Sequence, residues 1–268
     1  TVAVFSERME SSYSYELRLK DGLMSALHNN ELRLVYQPII LSDNAQVFAF
    51  EALLRWQFEG EEIDTKKFIA IAEQFGLIHD IGAWVLKTAC EQAKIWNISD
   101  NIAVCVNASI LQLQETDFIH IVKSSLDSSG LPPNLLHIEI TESAFALDLN
   151  VIPDKIKQLQ LMGIKVSMDD FGSCHSSLTV MQDLAINIVK IDCSFIKKLD
   201  SNGDSILSAI LNIAESLDFM VVAEGVETEE QAQVLLNLGV HYLQGYNYSK
   251  PIEVENIQSY LNGNRHTH

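Results

Sequence analysis

Glu51, Glu139, Asp169, Asp170 and Glu224 are carboxylates placed within or just past short apolar runs, and Asn107, Lys190 and Gln244 hold the same kind of position. Any one of them alone reads as a cap or a turn residue. Glu51 resists that reading, because it lies inside Phe48-Ala49-Phe50-Glu51-Ala52-Leu53-Leu54, and a buried carboxylate needs a partner or a metal. Five carboxylates and one amide form an all-oxygen set, which suits hard cations such as Mg²⁺, Mn²⁺ or Ca²⁺. Five negative charges exceed what one divalent ion neutralises, so two ions sharing a bridging carboxylate are the economical expectation. Paired ions ~3.5–4 Å apart favour in-line displacement at phosphorus, stabilising the attacking and leaving oxygens. Adjacent strand residues point to opposite faces, so Asp169 and Asp170 can share a site only where the strand breaks. Gly172, two residues on, fits such a break.

The elements that would hold these side chains alternate along the chain. Strand-like runs cover Leu32–Ile40, Val47–Trp56, Ile102–Asn107, Leu136–Ile140, Lys165–Met168, Ile188–Ile191, Met220–Ala223 and His241–Gly245, short and rich in β-branched residues. Between them run amphipathic helices: Phe68, Ile71, Ala72 and Phe75 keep a helical rhythm, as do Ile206, Ile210, Ile213 and Leu217. Thr228 with Gln231 forms a capping box ahead of Ala232, Leu235 and Leu236. Eight strands with interleaved helices suggest a (β/α)₈ barrel. Barrel chemistry gathers at the C-terminal ends of the strands, where the polar residues above fall. Leu41–Gln46 is too short for a parallel crossover. The expected fold is therefore α/β, a modified TIM-like (β/α)₈ barrel with one antiparallel strand near the N-terminus.

Composition excludes several alternatives. The 268 residues carry 18 Lys+Arg against 36 Asp+Glu, a net charge of −18, with 47% hydrophobic residues. That apolar share suffices for a sizeable core, while the acidity opposes binding of a nucleic acid polymer. An acidic chain holds an anionic phosphodiester only if cations invert the local field. No apolar run reaches the ~18 residues of a membrane span. Cys90, Cys105, Cys174 and Cys193 form no CxxC pair, and their contexts suit a reduced, cytoplasmic location. His28, His79, His120, His137 and His241 are weak ligand candidates, better placed on the surface or in the core. Arg55, four residues past Glu51, is either a phosphate clamp or a surface ion pair. Residues 1–11 read as a linker from an upstream regulatory domain, entering a helix that ends near Asn30; 12–262 are expected to form the barrel and 263–268 a polar tail.

Glu51-Ala52-Leu53-Leu54-Arg55-Trp56 resembles the signature that names the EAL-domain family of cyclic di-GMP phosphodiesterases. The resemblance runs from about Tyr15 to Leu261. It includes Tyr36-Gln37-Pro38-Ile39, Val106-Asn107-Ala108-Ser109, Ile138-Glu139-Ile140-Thr141-Glu142-Ser143 and Asp169-Asp170-Phe171-Gly172. Further on come Val189-Lys190-Ile191-Asp192, Ala223-Glu224-Gly225-Val226-Glu227-Thr228, Gln244-Gly245-Tyr246 and Ser249-Lys250-Pro251. The resemblance implies metal-dependent hydrolysis of cyclic di-GMP to linear pGpG with Mg²⁺ or Mn²⁺, Ca²⁺ being inhibitory. It implies Glu51, Asn107, Glu139 and Asp169 around one ion, and Asp169, Asp170 and Glu224 around the second. Lys190 would orient the attacking water and stabilise charge on the phosphoryl group, and Gln244 would join the water network. Glu142 would anchor the loop after Asp169-Asp170, while Gln37, Leu53 and Arg55 would contact substrate. Glu227 is expected to be structural, and a homodimer is implied.

One stretch departs from the family pattern: Ser173-Cys174-His175-Ser176-Ser177 stands where Thr-Gly-Tyr-Ser-Ser is usual. Cys174 removes a glycine's freedom at positive φ, which puts loop geometry and any dimer coupling through it in question. The alternative function is a silent module that binds cyclic di-GMP or a protein partner without turnover. A third reading, an unrelated Mg²⁺-dependent barrel enzyme, fits the oxygen donors but not the order of motifs.

Overall fold

Period-two alternation shapes this molecule. A computed structural model describes residues 7–97, 101–143, 151–172, 184, 186–199 and 203–264. Its strands are β1 (Leu32–Leu41), β2 (Val47–Phe58), β3 (Glu61–Ile63), β4 (Ala103–Asn107), β5 (Leu136–Thr141), β6 (Lys165–Phe171), β7 (Ile188–Ile191), β8 (Met220–Ala223), β9 (Tyr242–Leu243) and β10 (Ile252–Glu253). Hydrogen bonding runs β1-β9-β8-β7-β6-β5-β4-β2, and β2 pairs again with β1, so the sheet closes into a barrel. β1 is antiparallel to both β2 and β9, whereas the other barrel pairings are parallel. The short first connection imposes this. Asn44 Oδ1 accepts from Gln46 N at 2.9 Å, and Ala45 takes φ +56°, a turn that sends the chain straight back.

Outward-facing residues of the strands, among them Val104, Val106, Ile138, Ile140, Val166, Met168, Val189 and Val221, are fully buried under the surrounding helices. The inward set forms a separate apolar cluster of Ile39, Ala49, Ala103, Cys105, Ile188, Val222 and Tyr242. A register shift pairs Ile39 with Ala49 but Ile40 with Val47, leaving Phe48 as the extra residue of a bulge. Phe48 stacks on Tyr242 at 4.0 Å between centroids and lies 5.6 Å from His137. Burial and the Lys165 charge push the His137 imidazole down to about 3, so it sits neutral in this apolar floor. The polar mouth above is thus backed by a low-dielectric base.

Several expectations shift. The N-terminal helix spans Glu7–Ala26, so residues 7–11 are helical rather than linker; Glu7, Arg8, Met9 and Glu10 are good helix formers. It stops short of Asn30, which takes φ +55°. In the helix Gly203–Leu217 the buried stripe is Leu207, Ile210 and Ala214, leaving Ile206 49% exposed. Phe75 is the exposed C-cap of the helix Thr65–Gln74, whose buried residues are Phe68, Ile71 and Ala72. The last helix runs Ile257–Asn264 and takes in the start of the expected tail. The capping box of Thr228 and Gln231 is present. Among the described residues, no helix is long and apolar enough to cross a membrane.

Candidate functional site

Inward positions of successive strands converge at the C-terminal mouth. Glu51 comes from β2, Asn107 ends β4, Glu139 comes from β5, Lys190 from β7, and Glu224 follows β8. Lys190 is the hub. Its Nζ lies 2.7 Å from Glu224 Oε1, 3.0 Å from Glu139 Oε2, 3.3 Å from Glu51 Oε2 and 3.6 Å from Asp169 Oδ1. The lysine is 1% exposed, and Glu139 is equally enclosed. Glu51 is held from two further sides: Asn107 Nδ2 donates to its Oε1 at 2.9 Å and Gln244 Nε2 to its Oε2 at 2.6 Å. Gln37 stands opposite Glu51 on β1, and its Oε1 accepts from Gln244 Nε2 at 3.3 Å.

The adjacent aspartates reach one site through a bulge. β6 pairs Met168 with Val189 and Phe171 with Ile191, so Asp169 and Asp170 together face Lys190 alone. Asp170 takes φ +55°, a left-handed conformation that Asp tolerates better than most residues. The strand runs on to Phe171, so the expected break is a bulge within it. Carboxylate oxygens of Asp169, Asp170 and Glu224 lie within 4.8 Å of one another. Just past the bulge, Gly172 N donates to Glu142 Oε2 at 2.9 Å. Gly172 has φ +95°, and a Cβ there would come 2.2 Å from the Phe195 ring, so only glycine fits. Glu142 therefore holds the start of the loop. Residues 173–177, with Cys174 and His175, lie outside the described residues.

One ammonium among this many carboxylates cannot neutralise them all. Burial alone would push Lys190 down, but Asp169, Glu139, Glu224 and Glu51 carry its pKa well above the ordinary value. Burial would raise Glu51, yet Lys190 and the Gln244 and Asn107 hydrogen bonds bring it below the usual carboxylate range. Glu139 goes well up, through burial and the charges of Glu51 and Asp169, despite Lys190. Glu224 is pushed up to about 8, by burial and then by Asp169 and Glu51 against the pull of Lys190. Glu139 Oε1 is buried and accepts no hydrogen bond from the described residues. Excess negative charge, an unsatisfied buried oxygen and hard oxygen donors together fit divalent cations.

This charge pattern has a consequence for pH. A cation held by Glu224 would need that carboxylate ionised, so binding there should release protons at neutral pH, and apparent affinity should rise as pH passes from about 6.5 to about 8.5. Because the folded value of Glu224 lies above its ordinary 4.5, the neutral acid favours the metal-free fold at low pH, and that contribution is lost as pH rises through about 8. Mn²⁺ titrations in buffers of different ionisation enthalpy check this: heats that change with buffer are expected. Identical heats at about pH 7 would contradict a raised Glu224.

Two clefts flank the cluster. The larger, about 570 Å³, is lined by Leu53, Ile69, Ile81, Asn107, Asp169 and Asp170 among others. The smaller, about 350 Å³, is lined by Gln37, Glu51, Asp169, Glu224, Gln244 and Tyr246 among others. Asp169 lines both. Leu53 and Gln37 thus reach the clefts, but Arg55 lines neither: its Nη1 donates to Leu54 O at 2.9 Å and its Nε lies 3.8 Å from Glu62. Glu227, expected to be structural, is on the wall of the smaller cleft. Glu73 and Lys66 line the larger cleft without having been singled out in the sequence. On an amphipathic helix, a polar residue facing a cleft carries the same signature as one facing water.

A closed β/α barrel with an oxygen-rich acidic mouth defines a TIM-like barrel protein equipped to hold divalent cations. Residues 20–251 match the model of the EAL domain, and the chain belongs to the EAL domain family. The bifunctional diguanylate cyclase/cyclic di-GMP phosphodiesterase MucR of Pseudomonas aeruginosa is 37% identical over 260 residues, 94% of this chain and 38% of that protein. The signaling protein YkoW of Bacillus subtilis is 36% identical over 270 residues, 95% of this chain and 34% of that protein. The chain thus spans little more than a third of the length of these relatives. The structure of the MucR phosphodiesterase in complex with cyclic di-GMP superposes with a TM-score of 0.85 at 37% identity, covering 90% of this chain and 99% of that one.

Proposed function

We propose that this chain hydrolyses one phosphodiester bond of cyclic di-GMP, giving linear pGpG, with Mg²⁺ or Mn²⁺. The observation that carries this reading is the convergence of Glu51, Glu139, Asp169 and Glu224 on the buried Lys190 ammonium at the junction of two clefts. Glu51, Asn107, Glu139 and Asp169 would hold one ion, and Asp169, Asp170 and Glu224 the other. Those ions, when bound, supply Lewis-acid charge and activate the attacking water. Asp169, which lines both clefts, would serve both sets.

This chain's own groups do the positioning. Lys190 directs its charge at the water and at the phosphoryl oxygens, where negative charge grows in the transition state. Gln244 and Asn107 fix the Glu51 carboxylate, and Gln37 fixes Gln244. The two clefts accept the two halves of an elongated dinucleotide, with Leu53 against one of them and Gln37 lining the other. Arg55 would have to leave Leu54 O to touch substrate. Water oxygen bonds to phosphorus, the bond to the ribose 3′ oxygen breaks, and a 5′-phosphorylated linear product leaves. Incubating the purified chain with cyclic di-GMP and Mg²⁺ or Mn²⁺ and resolving the products tests the reading. Linear pGpG is expected; tight binding with intact ligand would instead make the chain a receptor.

Two further outcomes follow. Glu142→Ala should lower metal affinity and turnover ~10–100-fold while leaving the barrel folded, since a lost orienting contact loosens the ligands it supports. Metal titration alongside circular dichroism checks this, and unchanged affinity and rate would remove the anchor role. Ca²⁺ should support binding but little turnover, because it settles at ~2.3–2.6 Å with loose geometry where Mg²⁺ demands ~2.0–2.1 Å. Turnover with Ca²⁺ equal to that with Mg²⁺ would count against a tightly specified site.

A further inference from the structure

We propose that Glu73 is a positioning residue for the metal site, acting through Ser109 to fix the Asn107 amide; this rests on reading Asn107 as a ligand. Asn107 is the last residue of β4 and lies exposed at the mouth, so its orientation depends on the turn that follows. Ala108 N ties that turn to β5 by donating to Glu139 O at 2.8 Å. Ser109 then caps the short helix Ile110–Gln114: its Oγ accepts from Leu111 N at 3.3 Å, and its N donates to Gln112 Oε1 at 3.0 Å. A capping box needs nothing more. Yet Ser109 Oγ also donates to Glu73 Oε1 at 2.5 Å, the short distance of a hydroxyl on a carboxylate. A hydroxyl has one proton, so this bond sets its rotor and leaves its lone pairs for Leu111 N–H.

Glu73 reaches the turn from an independently anchored element. Its helix Thr65–Gln74 is capped by Asp64 and buries Phe68, Ile71 and Ala72. The other side of the turn is braced by the next helix, Ile78–Trp96. There the buried Gln112 amide packs on Gly82, where a Cβ would stand 1.8 Å from Nε2. Two helices outside the barrel thus clamp Ser109 and Gln112, the two residues of the capping box that follows Asn107. Asn107 in turn donates to Glu51 Oε1 at 2.9 Å, which carries the alignment to the carboxylates.

The test compares the unaltered chain with Glu73→Ala, Glu73→Gln, Ser109→Ala and the double Ala variant, by Mn²⁺ titration and by thermal melting without metal. Glu73→Ala should weaken Mn²⁺ binding ~10-fold, the low end for loss of an orienting contact, with little change in the metal-free melting midpoint. Glu73→Gln keeps an acceptor oxygen and should recover most of the affinity. The double variant should bind no more weakly than Ser109→Ala alone, since both changes break one link. Unchanged affinity in Glu73→Ala, or losses that multiply in the double variant, would overturn the proposal. If Ser109→Ala fails to fold, the Ala and Gln variants at Glu73 still decide it. An unaltered chain that binds no Mn²⁺ would overturn the metal reading itself, a separate failure seen before any variant is made.

Discussion

Lys190→Met should lower kcat for cyclic di-GMP by ~10²–10³-fold, the usual effect of removing one preorganised donor aimed at developing charge. Substrate affinity should change far less, because methionine keeps the stem and the packing in the barrel throat. The same substitution has a second effect. Among the described residues, Lys190 is the one ammonium paired with Glu51, Glu139, Asp169 and Glu224, and removing one partner of a buried ion pair typically costs ~3–5 kcal/mol. The metal-free variant should therefore melt well below the parent, and more so at high pH, where more carboxylates are ionised. Mn²⁺ should restore much of the lost stability, since cations replace the missing charge. Steady-state kinetics and melting with and without Mn²⁺ check both parts. A variant with the parent's kcat would reduce Lys190 to a structural counter-ion.

Glu51→Ala should take hydrolysis below detection and weaken metal binding by more than the ~10–100-fold that an outer contact costs. Glu51 is enclosed and receives hydrogen bonds from Asn107 and Gln244. Its removal therefore frees the alignment of three strands as well as deleting a donor. Isothermal titration with Mn²⁺ and product chromatography measure the two effects. Loss of activity with full metal affinity would move Glu51 from ligand to substrate contact.

The parts of this design visible in the residues are those set by local chemistry. The antiparallel start of the barrel follows from a connection too short to cross over, and the Asn44 turn is its physical form. The strand-end donors were legible because each stands within or just past an apolar run, where a barrel strand meets the C-terminal mouth. The need for a break at Asp169-Asp170 was equally legible, although its form, a bulge with Asp170 in the left-handed region, depends on pairing with β7. What could not be read depends on distant partners. The Phe48 bulge arises from register with β1, and the buried face of the helix Gly203–Leu217 depends on what packs against it. Arg55 resides beside Glu62 because β3, a strand with little apolar pattern of its own, folds back onto β2. Glu73 meets Ser109 across 36 positions, a pairing that no local pattern announces.

The measurement that bears most directly on the account is hydrolysis of cyclic di-GMP in ¹⁸O-labelled water, with products analysed by mass in the presence of Mg²⁺ or Mn²⁺ and again in excess EDTA. Attack of water on phosphorus predicts linear pGpG with one label in its terminal phosphate, formed with the divalent ion and abolished by the chelator. Cyclic di-GMP left intact with either ion, label in the ribose hydroxyl, or an undiminished rate in EDTA would contradict it.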